Sequence, residues 1–120
     1  MAKILIVDDE EPILNMYGEA LTGHDVLFAK NGEEGLEIAQ KENPDIILLD
    51  IIMPKFNGLD VLEKLRSNKD TDDIPVIILT NLPEDASADK AKQLGAKGYF
   101  VKAEYEPEKL ARAIQQMLNE

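Results

Sequence analysis

Ile46-Ile47-Leu48-Leu49-Asp50 is an apolar run of four residues closed by a carboxylate, and Ile4-Leu5-Ile6-Val7-Asp8-Asp9 repeats the device near the N-terminus. Short, continuously apolar runs bounded by charge read as strands covered on both faces, the habit of parallel sheets packed between helices. In an open sheet of that kind, ligands bind in the crevice outside the carboxyl ends of the strands, where the strand order reverses. Two strand ends that deliver Asp8, Asp9 and Asp50 therefore predict one site at one sheet edge.

Outward from these runs, five apolar segments alternate with five segments of helical character, which predicts an α/β fold with a doubly wound, five-stranded parallel sheet. The strands read as residues 3–7, 25–29, 46–49, 75–79 and 98–101, with the first, third and fourth central because they are apolar throughout. The first helix, residues 11–21, sets Ile13, Tyr17, Ala20 and Leu21 on one face, with Pro12 in its first turn. Asn31 is placed to cap the second helix, with Glu34 three residues on, and Leu36 and Ala39 turn inward. The third helix, about residues 58–67, carries Leu59, Leu62 and Leu65, and the fifth, from about 106, carries Leu110, Ile114 and Met117 behind Pro107. The fourth, residues 84–94, offers mostly Ala88 and Ala91, with Leu94 its one large apolar residue. At about 25 cal/mol per Å² of buried apolar surface, it should be the most weakly anchored helix and the one readiest to move.

Composition narrows the chemistry. A chain of 120 residues, 44% hydrophobic, suits a single domain over residues 1–120. A net charge of -11 speaks against a face that tracks nucleic-acid phosphates, which needs clustered Lys and Arg. The absence of cysteine excludes disulfides and thiolate chemistry, and the lone histidine, His24, removes multi-histidine metal sites. His24 is assigned no function. Met1-Ala2-Lys3 runs straight into the first strand, so neither a signal peptide nor a membrane span is expected, and a cytoplasmic location is the default.

Four motifs stand in order, each at the end of its strand: Val7-Asp8-Asp9-Glu10, Leu49-Asp50-Ile51-Ile52-Met53-Pro54 followed by Gly58, Leu79-Thr80, and Gly98-Tyr99-Phe100-Val101-Lys102. Taken singly each is ordinary. An acidic pair is commonly a solvated loop, an Asp after a strand an N-cap, a strand Tyr core packing, and Pro54 and Gly58 loop residues. Jointly they are specific, and over essentially its whole length the chain resembles the receiver domain of two-component response regulators.

That resemblance implies a flavodoxin-like strand order of 2-1-3-4-5 and a phosphoryl acceptor, Asp50, served by a histidine kinase or histidine phosphotransfer protein. It implies Mg²⁺ held by Asp8, Asp9, Asp50 and the backbone carbonyl of Ile52, a cation that the chemistry favours independently, since carboxylate and phosphoryl group repel each other. Lys102 would bind a phosphoryl oxygen, Thr80 would supply a hydroxyl, and Thr80 with Tyr99 would form the switch. Output would pass to a downstream protein target through the surface of the fourth helix, fifth strand and fifth helix, with homodimerisation of the activated form left open. The chain would be an acceptor that assists its own phosphorylation and dephosphorylation rather than an enzyme, and a stand-alone receiver or a fragment of a longer regulator.

Two departures matter. Receivers usually carry proline after the lysine, joined by a cis peptide; Ala103 stands here, and a cis bond without proline costs about 2.5 to 4 kcal/mol, so a trans Lys102–Ala103 peptide with an altered loop is predicted. Ile52 and Leu82, two residues beyond Asp50 and Thr80, are apolar where polar side chains could orient a hydrolytic water, which predicts slow autodephosphorylation. The competing readings are a receiver-fold module that binds its partner without phosphorylation, an aspartate-nucleophile phosphatase, which would want a second Asp where Ile52 stands, and a flavodoxin-like carrier, whose phosphate loop Asp8-Asp9-Glu10-Glu11 would repel.

Overall fold

The computed structural model describes residues 2–53, 56–81, 86–104 and 106–119. Strands β1 (Lys3–Val7), β2 (Asp25–Ala29), β3 (Ile46–Leu49), β4 (Val76–Thr80) and β5 (Gly98–Val101) form one parallel sheet in the order β2-β1-β3-β4-β5. The helices are α1 (Glu11–Ala20), α2 (Gly32–Glu42), α3 (Gly58–Ser67), α4 (Ala86–Gln93) and α5 (Pro107–Leu118). A two-residue antiparallel ladder, Ile52–Met53 on Phe56–Asn57, joins β3 to α3, and a 3-10 turn spans Lys102–Glu104. The predicted fold and strand order stand.

Burial follows the apolar pattern. All of β3 and β4 and four of the five residues of β1 are buried, whereas β2 and β5 at the sheet edges are mostly half-exposed. Alternate residues feed two cores. Leu5, Val7, Ile47, Leu49, Val76 and Ile78 pack with residues of α2, α3 and α4. Ile4, Ile6, Ile46, Leu48, Ile77 and Leu79 pack with α1 and α5 on the opposite face.

Two local expectations are corrected and two hold. The buried stripe of α1 is Leu14, Tyr17 and Leu21, with Ile13 and Ala20 only half-buried. Both sets fit a helical period, and the position of α1 against α5 selects the one centred on Leu14. Strand β4 runs one residue later than predicted, because Pro75 lacks an N–H and contributes only its carbonyl, which accepts from Ile47 at 2.9 Å. Asn31 Oδ1 accepts from the Glu34 N–H at 2.8 Å, as its capping position requires. The Lys102–Ala103 peptide is trans.

Helix α4 buries little, as its alanines imply: Ala91 is enclosed, Ala88 and Leu94 half-buried. Its C-terminal end is nonetheless tied down by a residue the apolar pattern could not reveal. Arg66 of α3 donates from Nε to the Leu94 carbonyl at 3.0 Å, from Nη2 to the Gly95 carbonyl at 3.2 Å and from Nη1 to the Ile74 carbonyl at 2.9 Å. A planar guanidinium can serve three carbonyls at once, and orphan carbonyls at a helix end are what it satisfies. Residues 84 and 85, expected at the start of this helix, lie outside the described residues, as do Pro54 and Leu82.

Candidate functional site

Register builds the site. Val7 pairs with Leu49, so Asp8 and Asp50 each stand one step past the last rung of neighbouring strands. The Asp50 N–H donates to the Val7 carbonyl at 3.0 Å and the Asp8 N–H to the Ala29 carbonyl at 3.0 Å, extending the ladder to both acids. Thr80 pairs with Val101, so Lys102 leaves β5 at the same edge. Strand pairing thus gathers Asp8, Asp50, Thr80 and Lys102 from four segments spread over 94 residues.

The group is buried. Asp8 is 2% exposed, Asp50 5% and Thr80 0%. Lys102 Nζ donates to Asp8 Oδ2 at 2.6 Å and to Asp50 Oδ2 at 3.1 Å, with only 6% of its side chain open to solvent. The second oxygens are also held: Asp8 Oδ1 accepts from the Glu10 N–H at 2.9 Å, and Asp50 Oδ1 from the Ile52 N–H at 3.1 Å. Asp9 and Glu10 are exposed, and Asp8, Asp9, Glu10 and Asp50 each bring a carboxylate oxygen within 4.8 Å of the others.

Electrostatics show a shortage of positive charge. Burial pushes the Asp8 carboxyl above its ordinary 3.8, and the hydrogen bonds from Lys102 and the Glu10 N–H do not fully offset it. Burial alone would pull Lys102 down, but its hydrogen bond to Asp8 and the charge of Asp50 together hold it above its ordinary 10.5. Four carboxylates against one ammonium leave a formal excess of three negative charges. A hard divalent cation fits this oxygen-only donor set.

The remaining predicted residues surround this core. Ile52 is 52% exposed beside Asp50. Tyr99 lies in β5 opposite Ile78, packs against the core under α2, α3 and α4, and borders a cavity of about 230 Å³ that it shares with Ala88, Ala91 and Lys97. His24 lies at the other end of the sheet, where Nδ1 accepts from the Ala2 N–H at 3.1 Å and Nε2 meets Gln115 Oε1 at 3.0 Å.

Two contributors escaped the sequence reading of roles. Glu10 was visible as the residue after the acid pair, and its Oε1 stands 3.7 Å from Lys102 Nζ. Gly58 was visible as the start of the third helix and as part of the acceptor motif, but not why a glycine is needed there. A Cβ there would lie 2.3 Å from the Asp50 carbonyl oxygen and 2.5 Å from Ile51 Cα, so α3 can start against the acceptor strand only on a glycine. Its N–H donates to the Ile51 carbonyl at 2.9 Å, and Asn57 Oδ1 caps the new helix through the Leu59 N–H at 2.8 Å.

Comparison with known proteins identifies the family and the fold. Residues 4–115 match the response regulator receiver domain. A relative from Porphyra purpurea, "Probable transcriptional regulator ycf27", is 40% identical over 118 residues, covering 97% of this chain and 47% of its own length. The chain therefore spans about half of the ycf27 relatives it matches. The Vibrio cholerae chemotaxis protein CheY4 superposes with a TM-score of 0.89 at 33% identity, covering 97% of this chain and 98% of that one. The Mn²⁺-bound form of response regulator Rcp1 gives 0.81 at 26% identity, covering 98% and 91%. Among the described residues no helix is long and apolar enough to cross a membrane. The chain belongs to the response regulator receiver domain family of two-component systems.

Proposed function

We propose that this receiver is a phosphoacceptor switch in which Asp50 is the residue modified. The observation that carries the reading is the state of Asp50 itself: a carboxylate 5% exposed at a strand end, 3.1 Å from a lysine ammonium and one rung from a second buried acid. An Asp50 oxygen attacks the phosphorus of a partner's phosphohistidine, the P–N bond breaks, and the released imidazole nitrogen takes up a proton. The partner is a histidine kinase or a histidine phosphotransfer protein.

Asp8, Asp9, Asp50 and the Ile52 carbonyl would hold Mg²⁺, which when bound neutralises charge between Asp50 and the phosphoryl oxygens. The acidic cluster supports a cation there, as does the name of the Mn²⁺-bound Rcp1. Lys102 already stands against Asp50 and would turn its ammonium to a phosphoryl oxygen, a charge-assisted contact. Thr80, adjacent at the end of β4, would follow with its hydroxyl, and Tyr99 on β5 would respond, altering the α4-β5-α5 surface read by a downstream protein.

Incubation with acetyl phosphate and Mg²⁺ should add one phosphoryl mass to the intact protein, and Asp50→Ala should abolish it. An adduct that survives that substitution refutes the assignment, and binding of the output partner that ignores modification would favour a phosphorylation-independent module. The side chain of Ile52 offers no polar group beside Asp50, so the modified form should be long-lived. Ile52→Asn combined with Leu82→Glu should shorten its half-life, and an unchanged half-life would remove the idea.

A further inference from the structure

We infer that Glu10 is a positioning residue that competes with the phosphoryl group for Lys102, an inference that rests on the phosphoacceptor reading of Asp50. Three carboxylates face the Lys102 ammonium: Asp8 at 2.6 Å, Asp50 at 3.1 Å and Glu10 at 3.7 Å. They differ in what modification does to them. Asp50 turns into the acyl phosphate, and Asp8 has a cation to engage. Asp8 and Glu10 both keep their charges, but Asp8 is one of the proposed cation ligands, which leaves Glu10 as the carboxylate outside that ligand set that still faces the ammonium.

Its backbone cannot withdraw. The Glu10 N–H is bonded to Asp8 Oδ1 at 2.9 Å, and its carbonyl accepts from Ile13 at 3.0 Å and Leu14 at 3.2 Å as the N-cap residue of α1. Its side chain is 56% exposed, so the carboxylate sits at the rim of the site, 3.7 Å from the ammonium. Glu10 thereby adds a third carboxylate to the two buried ones that hold the ammonium, at some cost to the contact that stabilises the phosphorylated form. An ion pair with one exposed partner carries a modest free energy, which corresponds to a roughly two- to fivefold change in an equilibrium.

Titration of beryllofluoride into the wild type, Glu10→Gln and Glu10→Asp, each at saturating Mg²⁺ and followed by the NMR shifts of Tyr99, tests this. Aspartate keeps the charge but is one methylene shorter, too short to reach Lys102 from the same fixed backbone. Both variants should bind the mimic roughly two- to fivefold tighter than the wild type. If Glu10→Asp matches the wild type while Glu10→Gln binds tighter, simple repulsion of the anion is at work and the inference is wrong. It is also wrong if neither variant changes, or if Glu10→Gln weakens Mg²⁺ binding in a parallel titration, which would make Glu10 a cation ligand. A wild type that does not respond to beryllofluoride would overturn the reading of Asp50, and this inference with it.

Discussion

The two ends of the sheet carry similar ion pairs in opposite settings. At the start of β1, Lys3 reaches Glu42 at 3.3 Å with about a third of each side chain in water, 34% and 38%. At the other end, Lys102 lies among Asp8 and Asp50 with all three nearly closed off from solvent. The first pair costs little to make and contributes little. The second has been desolvated, which is expensive unless each charge is matched, and here the negative charges are in excess. An arrangement in which burial raises the Asp8 pKa is poor at stabilising a fold and, under the proposed function, is where a cation and an anionic group would be received together. The contrast distinguishes a site from a surface pair of the same residue types.

The sharpest way to break this contrast is to remove the ammonium. In chelator-containing buffer, Lys102→Met should lower stability by about 3 kcal/mol in urea unfolding, because two buried carboxylates lose their partner. The pH profile gives an independent check. Lys102 is held above 10.5, so its contribution is complete below that value and is lost as pH rises through the higher folded value; the variant should lack this alkaline decline. Asp8, already raised above 3.8, should rise further without the lysine, so the variant's deficit should shrink on acidification. A loss below 1 kcal/mol, comparable to a surface pair, would erase the distinction.

Gly58→Ala comes next, at about 1 to 3 kcal/mol, since its Cβ would strike the Asp50 carbonyl and something must shift. The same variant should weaken beryllofluoride binding, because the displaced backbone carries the acceptor. Arg66→Met should cost about 1 to 2 kcal/mol and, more specifically, speed amide hydrogen exchange in α4 more than in α3. Equal acceleration in both helices would show that the guanidinium is not what holds α4. The smallest effect belongs to Lys3→Met, within about 1 kcal/mol and reduced further by salt, at the exposed end of the sheet.

The helices that cover one face of the sheet add a second lesson. Helix α3 encloses Leu59, Val61, Leu62 and Leu65, whereas α4 encloses Ala91 and is tied at its C-terminal end by two hydrogen bonds from Arg66. Burial of large side chains resists displacement along a whole helix. A clasp at one end leaves the rest of α4 held by small side chains, which bury little apolar surface.

Much of this was legible without coordinates, for identifiable reasons. Central strands buried on both faces must be apolar throughout, so Ile4 to Val7 and Ile46 to Leu49 announced themselves, and functional residues at strand ends stand where apolar runs stop. Leu14 was missed in favour of Ile13 because both fit the helical period and only packing against α5 separates them. Gly58, Arg66 and Glu10 were missed as contributors because their roles lie in contacts with residues remote in sequence or in space that a side chain would fill.

The amino-acid order alone determined the alternation of strands and helices, the central strands, and the chemical kinds of group at the sheet edge, because hydrophobic period and charge are local properties of the chain. Only the tertiary structure decided which atoms meet there: Lys102 Nζ bonded to both Asp8 Oδ2 and Asp50 Oδ2, with Glu10 at the rim. Those facts depend on strand register and on side chains meeting across 52 and 94 residues, where attraction acts only after the chain has folded.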